Sequence, residues 1–187
     1  MKHQIVLEGW NCRFRPVTLD DAAFIVNLRN QSFAKGFIND TDSSVDAQKV
    51  WLQKYFERPD DYYWIIENMD QCGSVGTNGL YDIVDGECMP GRWVMLPDAD
   101  IPLPASAYLM FEFIFERLKL QRAVMDVVSS NKKVIRYHHM IGASELSEPP
   151  ERYREMKSQY EFVWFEFTRR NWYNFKEEWG RRLGPRY

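Results

Sequence analysis

Two polar residues and a cap within one short stretch could do chemistry. Asp126 interrupts the apolar run Arg122-Ala-Val-Met-Asp-Val-Val, and a carboxylate there needs a charged partner or a wet cleft. In a cleft it could accept a proton; with a partner it is a structural ion pair. Asn131 and His138 follow, seven residues apart, which on a helix is one face, with Val134 and Ile135 between them. An imidazole with an ordinary pKa near 6.5 is a competent acid at neutral pH. A packed or surface histidine, and Asn131 as a plain helix cap, are the structural alternatives. His138 and His139 point about 100° apart on a helix, so they do not easily share one metal, and no metal site is expected.

The elements that would hold these residues follow from pattern. Thr18 opens a helix that ends near Asn30, with Asp20 and Asp21 in its first turn and Leu19, Ala22, Ala23 and Val26 at helical spacing. A second helix spans 44–56 with the stripe Trp51, Leu52 and Tyr55, and Arg58-Pro-Asp-Asp stops it. Short strand patterns at 12–17, 62–67, 73–84 and 92–96 precede a helix from Pro104 or Ala105 to Leu118. The apolar strand 122–128, a helix 131–140 ended by Gly142, and a last strand over 160–167 complete the chain. One α+β domain over 1–187 is expected, with a mixed central sheet of about six or seven strands. The last residues, 173–187, read as a basic, solvated tail, since Arg169 to Tyr187 carries six Lys/Arg and two Glu.

Composition narrows the function. A net charge of −3 argues against a nucleic-acid binder, and no run of about 18 apolar residues is present to span a membrane. The short apolar run at the start is unlike a signal peptide, so a cytoplasmic protein is expected. Aromatics are abundant, with 12 Phe, 10 Tyr and 7 Trp, which suits a thick core and a cleft with aromatic walls. Cys12, Cys72 and Cys88 form no close pair and read as buried free thiols. Whether the chain works as a homodimer stays open.

In order, these elements resemble the GNAT acyltransferases over about 12–172. Asn131, His138 and Gly142 stand at that family's spacing, and Arg15-Pro-Val-Thr, Leu28-Arg-Asn, Pro59-Asp-Asp-Tyr-Tyr and Gly73-Ser-Val-Gly are similar to its ribosomal-protein-acetylating and aminosugar-acetylating branches. Phe113-Ile-Phe-Glu-Arg-Leu and Met125-Asp-Val are most similar to bacterial nucleotide-aminosugar N-acetyltransferases. The resemblance implies a splayed sheet with helices on both faces. It implies transfer of an acyl group, acetyl as first choice, from acyl-CoA to a primary amine of a small polar acceptor such as a nucleotide-linked aminosugar. A protein N-terminal acetyltransferase and a GNAT-fold binding protein that no longer uses CoA are the two alternatives.

The resemblance also assigns sites. The thioester would lie between the strand carrying Trp93, Val94, Met95 and Leu96 and the strand 122–128, with a backbone N–H of Val94 or Met95 on the oxyanion. Asn131 would touch the pantetheine arm. His138 would stand where relatives have a tyrosine that protonates the thiolate, with Tyr137 as the competing acid. Asp126 would take the amine proton, and Arg29, Asn30 and Trp93 would face the acceptor. Arg29, Arg92 and the basic tail lean toward a nucleotide. The family's phosphate loop, Arg/Gln-x-x-Gly-x-Gly/Ala, is replaced by the glycine-free Asp98-Ala-Asp-Ile-Pro-Leu-Pro-Ala-Ser. Amides near Ala105 and Ser106 would then have to meet the pyrophosphate.

Overall fold

The computed structural model describes residues 2–39, 42–156 and 158–186. Its sheet has eight strands in the order β1-β2-β3-β4-β5-β6-β8-β7. They are β1 Leu7–Gly9, β2 Cys12–Pro16, β3 Tyr62–Asn68, β4 Gly73–Val84, β5 Glu87–Met95, β6 Arg122–Val128, β7 Ser144–Leu146 and β8 Phe162–Thr168. The helices are α1 Ala22–Arg29, α2 Val45–Phe56, α3 Leu103–Glu112, α4 Lys132–Met140 and α5 Arg169–Leu183. Eight strands form against the six or seven expected; β1 and β7, three residues each, are too short to show a period.

Alternation along β3 sorts the helices onto the two faces. Tyr63 and Ile65 pack with Ile25 of α1 and Leu52 and Tyr55 of α2. Trp64 and Ile66 face the larger core built on α3 and the turn that follows it, with Leu109, Phe113 and Ile114, and on α5, with Trp172 and Phe175. Helix α3 runs into a π-helical turn over Phe113–Arg117, closed by the Leu118 N–H on the Phe113 carbonyl at 3.0 Å.

All pairs except one are antiparallel. β5 and β6 run parallel and pair only at Glu87–Arg122 and Cys88–Ala123, after which no ladder joins them. Arg122 pins this closed end with hydrogen bonds to Glu87 and Glu166, each 2.8 Å. Beyond it the two strands splay, as the sequence resemblance implied.

The basic C-terminal stretch is not a solvated tail. Trp172 and Phe175 are buried in the main core, and Trp179 packs against it. The cations lie on the outer face in pairs with Glu116, Glu177 and Glu178, and Arg186 beyond the helix pairs with Glu112. Cys12 and Cys88 are buried as expected, whereas Cys72 is exposed in the β3–β4 turn. If α5 is part of the core, Trp172→Ala should destabilise the chain by about 3–5 kcal/mol in urea unfolding. A loss well under about 1 kcal/mol would restore the tail reading.

Candidate active site

The splay opens a passage through the sheet. Consecutive residues of one strand point to opposite faces, yet Met125, Asp126, Val127 and Val128 all line one cavity of about 250 Å³, as do Pro90 to Trp93 across the gap. A second cavity of about 770 Å³ lies against the C-terminal end of β5 and the outer face of α4. The two share a wall that includes Trp93, Asn131, Val134 and Tyr137. A molecule in either cavity would meet the other there.

Tyr137 and His138 both belong to the smaller cavity, but only Tyr137 lines both. Its ring lies 5.0 Å from that of Trp93, and its hydroxyl donates to the Leu103 carbonyl at 3.1 Å. Burial pushes the phenol well above its ordinary range, so it keeps its proton at neutral pH. His138 stacks on Phe165 with ring centres 4.9 Å apart. Its residue is 8% exposed, and its Nδ1 is buried without a hydrogen-bond partner. Burial, with a smaller push from His139, lowers its pKa to about 4. The imidazolium expected from the sequence is therefore not the form this ring takes at neutral pH. The sequence had no means of showing that Phe165 would cover it.

Asp126 lines the smaller cavity and makes no ion pair among the described residues, so the structural-pair alternative fails. Burial raises its pKa, which makes it a stronger base than an exposed aspartate. Asn131 is the N-cap of α4, its Oδ1 accepting from the Val134 N–H at 3.2 Å, and it also lines both cavities. The cap and the site position coincide. Gly142 ends α4 at a φ of +83°, in the left-handed region that favours glycine.

Val94, Met95 and Leu96 line the larger cavity. The Leu96 N–H donates to the Val75 carbonyl at 2.8 Å, so alternation turns the Met95 N–H the other way, toward the gap left by β6. Of the two oxyanion donors named from sequence, Met95 is the one so directed. Ala105 and Ser106 do not serve as expected. Both are fully buried, the Ala105 N–H is spent on the Pro102 carbonyl at 2.8 Å, and the Ser106 hydroxyl donates to the Leu103 carbonyl. Ser106 reaches only the smaller cavity, and Ala105 lines neither.

On the acceptor side, Arg29 lines the smaller cavity and donates to the Asn39 carbonyl at 3.0 Å. Burial lowers its pKa. Asn30 lines neither cavity; its amide donates back to the Val26 carbonyl at 3.0 Å, which is a capping role. Arg92 is held by Asp61 through two contacts of 2.5 and 2.9 Å, and its guanidinium lies 4.4 Å from the Tyr81 ring centre. Gly91 leaves room for that ring, since a Cβ there would strike the Tyr81 hydroxyl. Arg92 thus builds the wall with its charge already matched, and neither it nor the cations of α5 supply the nucleotide preference suggested from sequence. Asn78 and Tyr81 also line this cavity and were missed. They sit where the β4–β5 register shifts, between Thr77 and Gly79 and again after Tyr81, and such bulges re-aim side chains without a sequence period.

The family model for the acetyltransferase (GNAT) domain matches residues 11–144. The chain belongs to the GNAT acetyltransferases. No curated protein matches it significantly. Among solved structures, apo FdhC, a nucleotide-linked sugar GNAT, is 26% identical with a TM-score of 0.79, covering 97% of this chain and all of that one. A GCN5-related N-acetyltransferase from Brucella melitensis is 16% identical with a TM-score of 0.80, covering 98% and 87%. A spermidine N-acetyltransferase SpeG variant from Vibrio cholerae is 15% identical with a TM-score of 0.70, covering 88% and 97%; these last two likenesses support the fold alone. For this acetyltransferase the residues present fit the reactive end of acyl-CoA: an open strand edge and a protonated phenol beside it. Among the described residues no helix is long and apolar enough to cross a membrane.

Two titrations check this electrostatic picture. His138 is depressed, so its contribution to stability is present above about pH 6.5 and is lost as pH falls toward about 4. NMR of its imidazole should show a neutral ring from pH 8 down to about 5; a midpoint near 6.5 would contradict the burial. Asp126 is raised, so its relative stabilisation exists at low pH and is lost as pH rises through its folded pKa. Asp126→Asn should therefore melt higher than the unaltered chain at pH 7, with the gap closing as pH falls toward 4. A lower melting point at pH 7 would mean that the carboxylate has a stabilising partner.

Proposed function

We propose that this acetyltransferase moves an acyl group, acetyl in the simplest case, from acyl-CoA to a primary amine of a nucleotide-linked aminosugar. One observation supports the chemistry above all: the two cavities share the wall at Trp93 and Tyr137, where the sheet is open. The thioester enters from the larger cavity and the amine from the smaller. The ammonium of the acceptor gives its proton to Asp126, directly or through water, and the freed nitrogen attacks the thioester carbonyl carbon. The oxygen gains charge beside the Met95 N–H, the C–S bond breaks as the departing thiolate takes the Tyr137 proton, and the nitrogen's second proton returns to the Tyr137 phenolate, leaving the neutral amide. Tyr137 rather than His138 is assigned as acid, because the phenol carries its proton at neutral pH and reaches both cavities, whereas the buried imidazole is neutral.

The acceptor class rests on the full-length likeness to FdhC, a nucleotide-linked sugar GNAT, at 26% identity. Tyr81, Tyr160 and Phe162 on the wall of the smaller cavity supply faces on which a sugar or base can stack. Protein N-terminal acetylation finds no comparable support, since Asp126 is the cavity's single acidic side chain among the described residues.

The roles separate kinetically. In single-turnover reactions, Tyr137→Phe should slow acyl transfer at least about tenfold, and Asp126→Asn about 10²-fold or more, each with little change in CoA affinity. His138→Ala, lacking a charged acid to remove, should cost less than Tyr137→Phe. The reverse order would return the acid to His138. Release of free CoA thiol with nucleotide-linked aminosugars, but not with polyamines or peptide N-termini, tests the acceptor; a preference for peptides would overturn it.

A further inference from the structure

The start of α3 is a poor place for phosphate. Pro102 and Pro104 have no N–H, the Ala105 N–H is already bonded, and Asp98 and Asp100 put two exposed carboxylates in the loop before it. Across the larger cavity the opposite arrangement holds. Lys132, Lys133 and Arg136 of α4 line it. Lys132 and Arg136 are i and i+4, Lys133 and Arg136 i and i+3, so the three cations share one side of the helix. All three are exposed, and none has a carboxylate within ion-pair distance among the described residues.

Their position runs against helix physics. Lys132 and Lys133 are the first two residues of α4, whose first turn holds no acidic residue. The positive end of a helix dipole disfavours cations by some tenths of a kcal/mol each. Two lysines there, with no carboxylate in ion-pair reach among the described residues, break a local rule that α1 and α2 keep, with Asp20 and Asp21 before one and Asp46 in the other; α5 also opens on two arginines, but Arg169 there is spent on the Lys119 and Leu120 carbonyls. Such violations are expected where a ligand supplies the missing charge.

Resting on the acyl-CoA reading above, we propose that Lys132, Lys133 and Arg136 hold the phosphates of CoA, replacing the backbone amides of a glycine loop. The pantetheine arm then runs from this cation cluster past Asn131 to Tyr137 and Trp93. Binding is by side-chain charge, so it weakens with salt more than amide-based binding would.

Calorimetric titration of the whole chain with CoA, and with S-acetylpantetheine, which has no phosphate, separates the alternatives. Lys132→Ala combined with Lys133→Ala should weaken CoA binding at least about tenfold and flatten its salt dependence, while leaving S-acetylpantetheine affinity unchanged. The same double variant without ligand should melt at or above the temperature of the unaltered chain, because it removes cations from a positive helix end. Asp100→Asn should strengthen CoA binding. CoA affinity within twofold of the unaltered value, in the double variant and again with Arg136→Ala added, overturns the inference while the acyl-CoA reading stands. Absence of CoA binding by the unaltered chain overturns that reading itself.

Discussion

Everything functional in this molecule depends on β5 and β6 pairing at two residues and no further. A parallel pair that continued would bury the β5 edge in hydrogen bonds and close the passage. The closed end is fixed by Arg122 between Glu87 and Glu166, so the strands diverge from a defined point. At the open end the gap is filled by side chains instead of ladder bonds. Trp93 from β5 meets Tyr137 from α4, and Tyr137 in turn ties α4 to the start of α3 through Leu103. The helix that closes the gap thus also places the proposed acid in it.

This arrangement accounts for polar groups that a packed core would not tolerate. Asp126 lies in the apolar stretch of β6, between Met125 and Val127, and its carboxylate, with no ion pair among the described residues, is costly. The buried Nε1 of Trp93 and Nδ1 of His138 have no partner among the described residues. Each is the kind of local cost that persists where a ligand completes the hydrogen bonds. By contrast, Arg92 and Asp61 satisfy each other, and Tyr81 lies over the pair. The wall at Arg92 has its charges matched, and the wall at Trp93, Asp126 and His138 is incomplete.

Much of this was legible from residue order. The apolar run of β6, the Asn131 cap and the glycine ending α4 are local features, so pattern reading placed them and the motif spacing pointed to the splay. What stayed hidden depends on contacts distant in sequence. The burial that keeps His138 neutral includes its stacking on Phe165 of β8, and the burial of Ala105 and Ser106 comes from the packing of α3. The matched charge of Arg92 needs Asp61, from the loop just before β3. Trp172, Phe175 and Trp179 of α5 do stand at helical spacing, but six cations in that stretch masked the apolar stripe.

The central claim is that the reacting atoms meet at the shared wall of the two cavities. A crystal structure of the chain with acetyl-CoA tests this most directly. The account predicts the sulfur within hydrogen-bonding reach of the Tyr137 hydroxyl and the thioester oxygen at the Met95 N–H, inside the β5–β6 gap. A thioester lying outside that gap, with Tyr137 still bound to the Leu103 carbonyl, would contradict it.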